Sequence, residues 1–219
     1  HWAMQLVAAV GYTHIEAAAD DSQSNAGWVD GMQILVGRRV EVEPVSFLSL
    51  SPARLAIGLH EPGGDVIEEF GCAGSTLDEC HEWVSGAIAR RHGAGPVELE
   101  RPGSDMPEHP IASGARFGES SEEARAELAR WLHDANLVMR DLRARTSGST
   151  LPRVWPHHFD MGMLSPVGGE RSIGVGLSPG DGAYAEPYWY VNPYPAPDGD
   201  LPSPALGRWT DRGWTGMVL

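Results

Sequence analysis

Lysine is absent from this chain of 219 residues, and all sixteen basic residues are arginine. Without a side-chain amine there is no Schiff base, no anchor for pyridoxal phosphate and no phosphate-loop lysine, which removes three enzyme classes. Positive charge is scarce overall. Thirty acidic residues bring the formal net charge to −14, and no arginine cluster is longer than Arg38-Arg39 or Arg90-Arg91. Such a surface repels a phosphate backbone, so nucleic acid is not an expected partner. No apolar run approaches the ~18 residues of a spanning helix, so no membrane segment is expected. Cysteine is nearly absent: Cys72 and Cys80, separated by seven residues, belong to no C-x-x-C pair. Two reduced core thiols are the expectation, with a disulfide between them as the alternative, and reduced thiols are in keeping with a reducing, cytoplasmic compartment. No signal peptide is visible, and the start at His1 rather than Met leaves a removed leader as an open alternative.

What remains is a composition of 42% hydrophobic residues with 27 glycines and 17 prolines. It suits one globular domain over residues 1–219, burying roughly 70% of its unfolded surface, with many tight loops. Residues 1 to about 19 read as a helix with Trp2, Leu6, Val10 and Ile15 in a rough stripe. Four short apolar runs follow, Met32 to Val36, Val45 to Leu50, Arg54 to His60 and Val66 to Cys72, and read as antiparallel strands. Thr76-Leu77-Asp78-Glu79 is a capping box that opens a helix with Leu77, Cys80, Val84, Ala87 and Ile88 on its apolar face, ending at Gly93. A second box, Ser120 to Glu123, opens a longer helix with the stripe Ala124, Leu128, Trp131, Ala135, Val138 and Leu142. Between the two helices, Pro96, Pro102, Pro107 and Pro110 keep residues 94–119 irregular. Strands return at about 153–164, 172–178, 184–191 and 214–219. Because strands come in runs, the expected class is α+β, a single mixed or mainly antiparallel sheet with about three helices packed on one face.

Several motifs weaken on inspection. Gly176-Leu177-Ser178-Pro179-Gly180 matches the nucleophile elbow, but Pro179 has no N–H for an oxyanion and no helix follows. For the same reason Gly174-x-Gly176 is no dinucleotide fingerprint, and NAD is not expected. His81-Glu82-x-x-Ser85 has serine where a metalloprotease has its second histidine, and reads as an exposed helix face.

The most informative stretch is Trp155-Pro156-His157-His158-Phe159-Asp160. On a strand, His158 and Asp160 share a face, where they could be two ligands of a divalent metal or a general base with its orienting carboxylate; a structural hydrogen-bonded pair is the open alternative. If a turn at 179–183 sets Ser178 opposite Tyr184, then Gly176 faces Glu186, Gly174 faces Tyr188 and Ser172 faces Tyr190. The bare Gly174/Gly176 stripe beside Glu186, Tyr188 and Tyr190 then reads as a pocket wall, with Glu186 as third ligand or second carboxylate. Equally, the tyrosine rings could simply cover the glycines. His109, in the proline-rich loop, is a further candidate as part of a lid, against a plain solvated residue.

The segment from Trp155 to Pro195 is similar to a known family. His158-Phe159-Asp160, Ser178-Pro179-Gly180 and Glu186-Pro187-Tyr188-Trp189-Tyr190-Val191-Asn192-Pro193-Tyr194-Pro195 resemble the bacterial proteins grouped as "domain of unknown function 5996". The likeness extends more loosely over nearly the whole chain, through His1-Trp2, Gln5 and the Pro107 to Phe117 loop, and departs at His158, where the family pattern has a small polar residue. It implies an intracellular bacterial protein and transfers no catalytic residue, since the family has no assigned activity.

The expectation is therefore a small-molecule pocket on the C-terminal hairpin, with His158, Asp160 and Glu186 as catalytic or metal-holding centre. Trp155, Gly174, Gly176, Tyr188, Tyr190 and His109 would bind the ligand. The competing expectation is a non-catalytic interaction or homodimer module, for which Trp209 and Trp214 would form a flat exposed patch.

Overall fold

The fold was described from a computed structural model. It describes residues 1–40, 43–93, 95–101, 106–118, 121–199, 201–210 and 214–219. The α+β class holds, but the single sheet does not: the described residues form two antiparallel sheets, of five and six strands. Each run of strands satisfies its backbone hydrogen bonds with its own sequence neighbours, and the helices Leu77–His92 and Glu122–Arg145 stand between the two runs in the sequence. The chain divides into two compact units, residues 1–130 with 155–157, and residues 131–154 with 158–219.

In the first unit, β1 (Gly27–Val29), β2 (Ile34–Val40), β3 (Ser46–Ser51), β4 (Ala56–His60) and β5 (Val66–Gly71) form a meander in chain order. Helix α1 (Met4–His14) packs on β2 and β3. It is shorter than expected and buried on every face from Met4 to Gly11, so Met4, Leu6, Val7 and Val10 are all buried, as are Leu48, Leu50, Ile57 and Leu59 of the sheet. The Pro156 carbonyl accepts hydrogen bonds from Gln5 Nε2 (2.6 Å) and His1 Nε2 (2.8 Å), which anchors 155–157 to α1.

Helix α2 (Leu77–His92) begins with both halves of the expected capping box: Glu79 N donates to Thr76 Oγ1 (3.1 Å) and Thr76 N to Glu79 Oε2 (2.7 Å). Its C-terminus closes at Gly93 in the left-handed region. Cys80, Val84, Ala87 and Ile88 are buried on it, and the Cys72 and Cys80 thiols are free and buried.

Helix α3 (Glu122–Arg145) is capped by Ser121, whose Oγ accepts from Ala124 N (3.1 Å); Ser120, expected to open the box, lies outside the described residues, as does Pro102. The expected stripe is rotated on this helix. Ala129, Leu132, Ala135 and Met139 are buried, whereas Trp131 and Val138 are 39% and 54% exposed. Both sets satisfy helical spacing, and the helix carries apolar side chains on two faces, so periodicity alone could not choose between them.

The second unit holds the sheet β10-β11-β9-β8-β7-β6, from β6 (Arg153–Val154), β7 (Met161–Gly168), β8 (Arg171–Ser178), β9 (Tyr188–Tyr194), β10 (Arg208–Thr210) and β11 (Gly216–Val218). The edge strand β10 had no sequence signal of its own. A hydroxyl ladder, Thr146 to Ser149 (2.7 Å) to Ser165 (2.9 Å), ties the end of α3 to β7. Among the described residues no helix is long and apolar enough to cross a membrane.

Candidate functional site

The expected strand at 153–164 is broken. Arg153 pairs with Gly162 and Val154 with Met161, so residues 155–160 form the connection of a hairpin rather than strand positions. Pro156 has no N–H for a ladder, and Phe159 turns the chain in the left-handed region (φ 55°) with its ring buried. The face-sharing argument for His158 and Asp160 therefore fails: His158 is exposed on the turn, and Asp160 stands immediately before β7.

The β8–β9 register differs from expectation by four residues. Ser178 faces Tyr188, Gly176 faces Tyr190, Gly174 faces Asn192 and Ser172 faces Tyr194. An even shift preserves the face while changing every partner. Its cause is the connection, which runs from 179 to 187 and is organised by Asp181. That carboxylate accepts the Ala183 and Tyr184 amides at Oδ1 (2.7 and 2.8 Å) and the Tyr188 hydroxyl at Oδ2 (2.6 Å). Ser178 Oγ accepts from Gly180 N (3.2 Å), the role of a turn residue and not of a nucleophile.

Two consequences follow for the glycine stripe. A Cβ on Gly176 would stand 2.2 Å from Tyr190 Cζ, and one on Gly174 would stand 2.1 Å from Asn192 Oδ1. The glycines are therefore seats for side chains of β9, not an open wall. Glu186 leaves the strand for the exposed connection and does not join His158 and Asp160; among the described residues no three His, Cys, Asp or Glu side chains are grouped to hold a metal ion.

What assembles instead is a pair of tyrosine–carboxylate contacts. The Tyr190 hydroxyl donates to Asp160 Oδ2 and the Tyr188 hydroxyl to Asp181 Oδ2. Burial first, then the Asp181 hydrogen bond and the nearby Asp160 charge, push the Tyr188 hydroxyl up to about 12, and burial with Asp160 raises Tyr190 well above its usual range. Burial works against ionised Asp181, but the bonds from Tyr188, Tyr184 and Ala183 and the neighbouring His158 outweigh it and leave the carboxyl below its ordinary value. Both tyrosines are thus fixed hydrogen-bond donors near neutral pH, not bases. Asp181 was missed from sequence; the signal that could have found it is Asp181-Gly182 in a loop long enough for the side chain to cap its own turn.

On the same connection lies a hollow of ≈ 850 Å³, lined among others by Tyr184, Glu186, Tyr188, Leu206, Arg208 and Leu219. The Tyr184 and Tyr188 rings meet at 5.0 Å, and the Arg208 guanidinium sits 5.5 Å above the Tyr184 ring. The Tyr184 hydroxyl donates to Thr210 Oγ1 (2.8 Å), which fixes that ring to β10.

Of the other expected site residues, Trp155 belongs to the first unit, where its ring meets His157 edge-on at 6.2 Å. His109 is there too, capping a short turn by accepting Ile111 N at Nδ1 (3.2 Å). The tryptophan pair of the competing expectation is not a flat exposed patch. Both rings are half-buried, with Trp209 Nε1 donating to the Pro202 carbonyl (2.6 Å) and Trp214 edge-on to Tyr190 at 6.0 Å. No family model matches the chain, and no curated protein or solved structure was found to be similar to it.

Proposed function

We propose that this chain is a small-molecule-binding protein whose ligand lies in the hollow beside residues 183–188. An aromatic or apolar body would rest on Tyr184 and Tyr188, and an anionic group would meet Arg208. The observation that carries this reading is the convergence, in one hollow of ≈ 850 Å³, of two touching tyrosine rings with a guanidinium and a carboxylate that no described residue neutralises. That volume lies within the range of drug-sized ligand sites, and a guanidinium stacked on a ring keeps its donors available for a carboxylate or phosphate. Glu186, on the same hollow, gives selectivity for ligands that also carry a donor.

A thermal-shift screen of aromatic and aliphatic carboxylates and phosphates tests the reading. Compounds that raise the Tm of the native chain are expected to lose that effect in Arg208→Ala and Tyr184→Ala. A screen without hits, or hits that persist undiminished in both variants, overturns it.

A further inference from the structure

We propose that the first unit carries a separate site, in the hollow lined by α2, Thr13 and residues 97–101, that takes an aliphatic polyamine. This hollow measures ≈ 720 Å³ and is lined by Thr13, His81, Glu82, Ser85 and the segment Val97 to Arg101. The segment runs antiparallel to α2 and is pinned at three points: Ser85 Oγ donates to the Val97 carbonyl (2.6 Å), Glu100 N donates to Thr13 Oγ1 (2.8 Å), and Arg101 pairs with Asp78 (2.6 Å).

Charge selects the ligand class. Three carboxylates, Glu82, Glu98 and Glu100, line the hollow, and no described cationic side chain pairs with them. Arg101, the one arginine among the described lining residues, is engaged by Asp78. An anionic ligand would meet three like charges, so the site suits a cation.

His81 supplies the second, independent observation. It was expected on an exposed face, yet it is only 6% exposed, and its Nδ1 is buried without a hydrogen-bond partner. A buried polar atom left unpaired costs free energy that a ligand can recover. Burial and the Arg101 charge lower the His81 pKa to about 4, so near neutral pH the ring adds no positive charge and one of its nitrogens is an acceptor.

The donor set also argues against a bare metal ion, since no three-ligand group exists among the described residues. Along residues 97–100 burial alternates, with Val97 and Leu99 half-buried and Glu98 and Glu100 exposed. A chain of several ammonium groups joined by methylenes suits a lining that carries three carboxylates together with the apolar Val97 and Leu99.

Calorimetric titration with spermidine at low ionic strength tests the site, read alongside the imidazole ¹⁵N signals of His81. Saturable 1:1 binding that moves those signals is expected, weakened at least about fivefold in Glu98→Gln/Glu100→Gln, whose substitutions are at exposed positions and leave the fold intact. The proposal is overturned by no saturable heat, by equal affinity in the double variant, by His81 signals that do not move, or by equal displacement of spermidine with magnesium at matched ionic strength.

Discussion

The Tyr190 ring occupies the space that a side chain at Gly176 would need: a Cβ there would lie 2.2 Å from the ring's Cζ and 2.6 Å from the Met161 carbonyl oxygen. The ring cannot move away freely, because its hydroxyl donates to Asp160 and it packs edge-to-face with Trp214. Gly176→Ala is therefore expected to destabilise the second unit by about 3 kcal/mol, the upper range for overpacking. Urea denaturation measures this, and a loss under about 1 kcal/mol would show that β8 and β9 can separate at little cost.

Tyr188 makes stability sensitive to alkali. Its hydroxyl is raised from 10.0 to about 12 in the folded state, so the protonated form is favoured by folding. That contribution is complete below pH 10.0 and is lost as pH rises through about 12. Denaturation midpoints across this window should fall more steeply for the native chain than for Tyr188→Phe; parallel curves would contradict the assignment.

His81 acts at the acid end. Its folded pKa is lowered from 6.5 to about 4, so the neutral ring is favoured by folding, and this contribution is present above pH 6.5 and lost as pH falls toward 4. In His81→Gln the dependence of stability on pH over that interval should flatten, as read by urea midpoints. An unchanged slope would mean that carboxylates alone set the acid limit.

The α2 cap offers a local test. Thr76→Ala removes the acceptor for Glu79 N and should cost about 1 kcal/mol, with Thr76→Ser retaining most of it. Thermal melts of the two variants distinguish a working cap from a bystander.

The two thiols should be silent in the native state. Cys72 and Cys80 are each 0% exposed, and the Cys72 thiol is pushed up by its hydrogen bond with Cys80 and by burial. A thiol reagent is expected to modify neither until denaturant is added; rapid modification of the folded chain would reveal frequent opening between β5 and α2.

Local chemistry was legible in the chain. The four apolar runs became β2 to β5, Thr76 and Glu79 capped α2, and the period-two pattern put Gly174, Gly176, Tyr188 and Tyr190 on a common face. These features depend on neighbours within a few residues, where propensity and spacing dominate. Long-range pairing decided the rest: two sheets instead of one, Ala129, Leu132 and Met139 inward instead of Trp131 and Val138, His81 buried, and a carboxylate from Asp181 beside Tyr188 in place of Glu186. A strand's period is the same in every register, so only the length of the 179–187 connection and the hydrogen bonds that close it could choose which residue faces which.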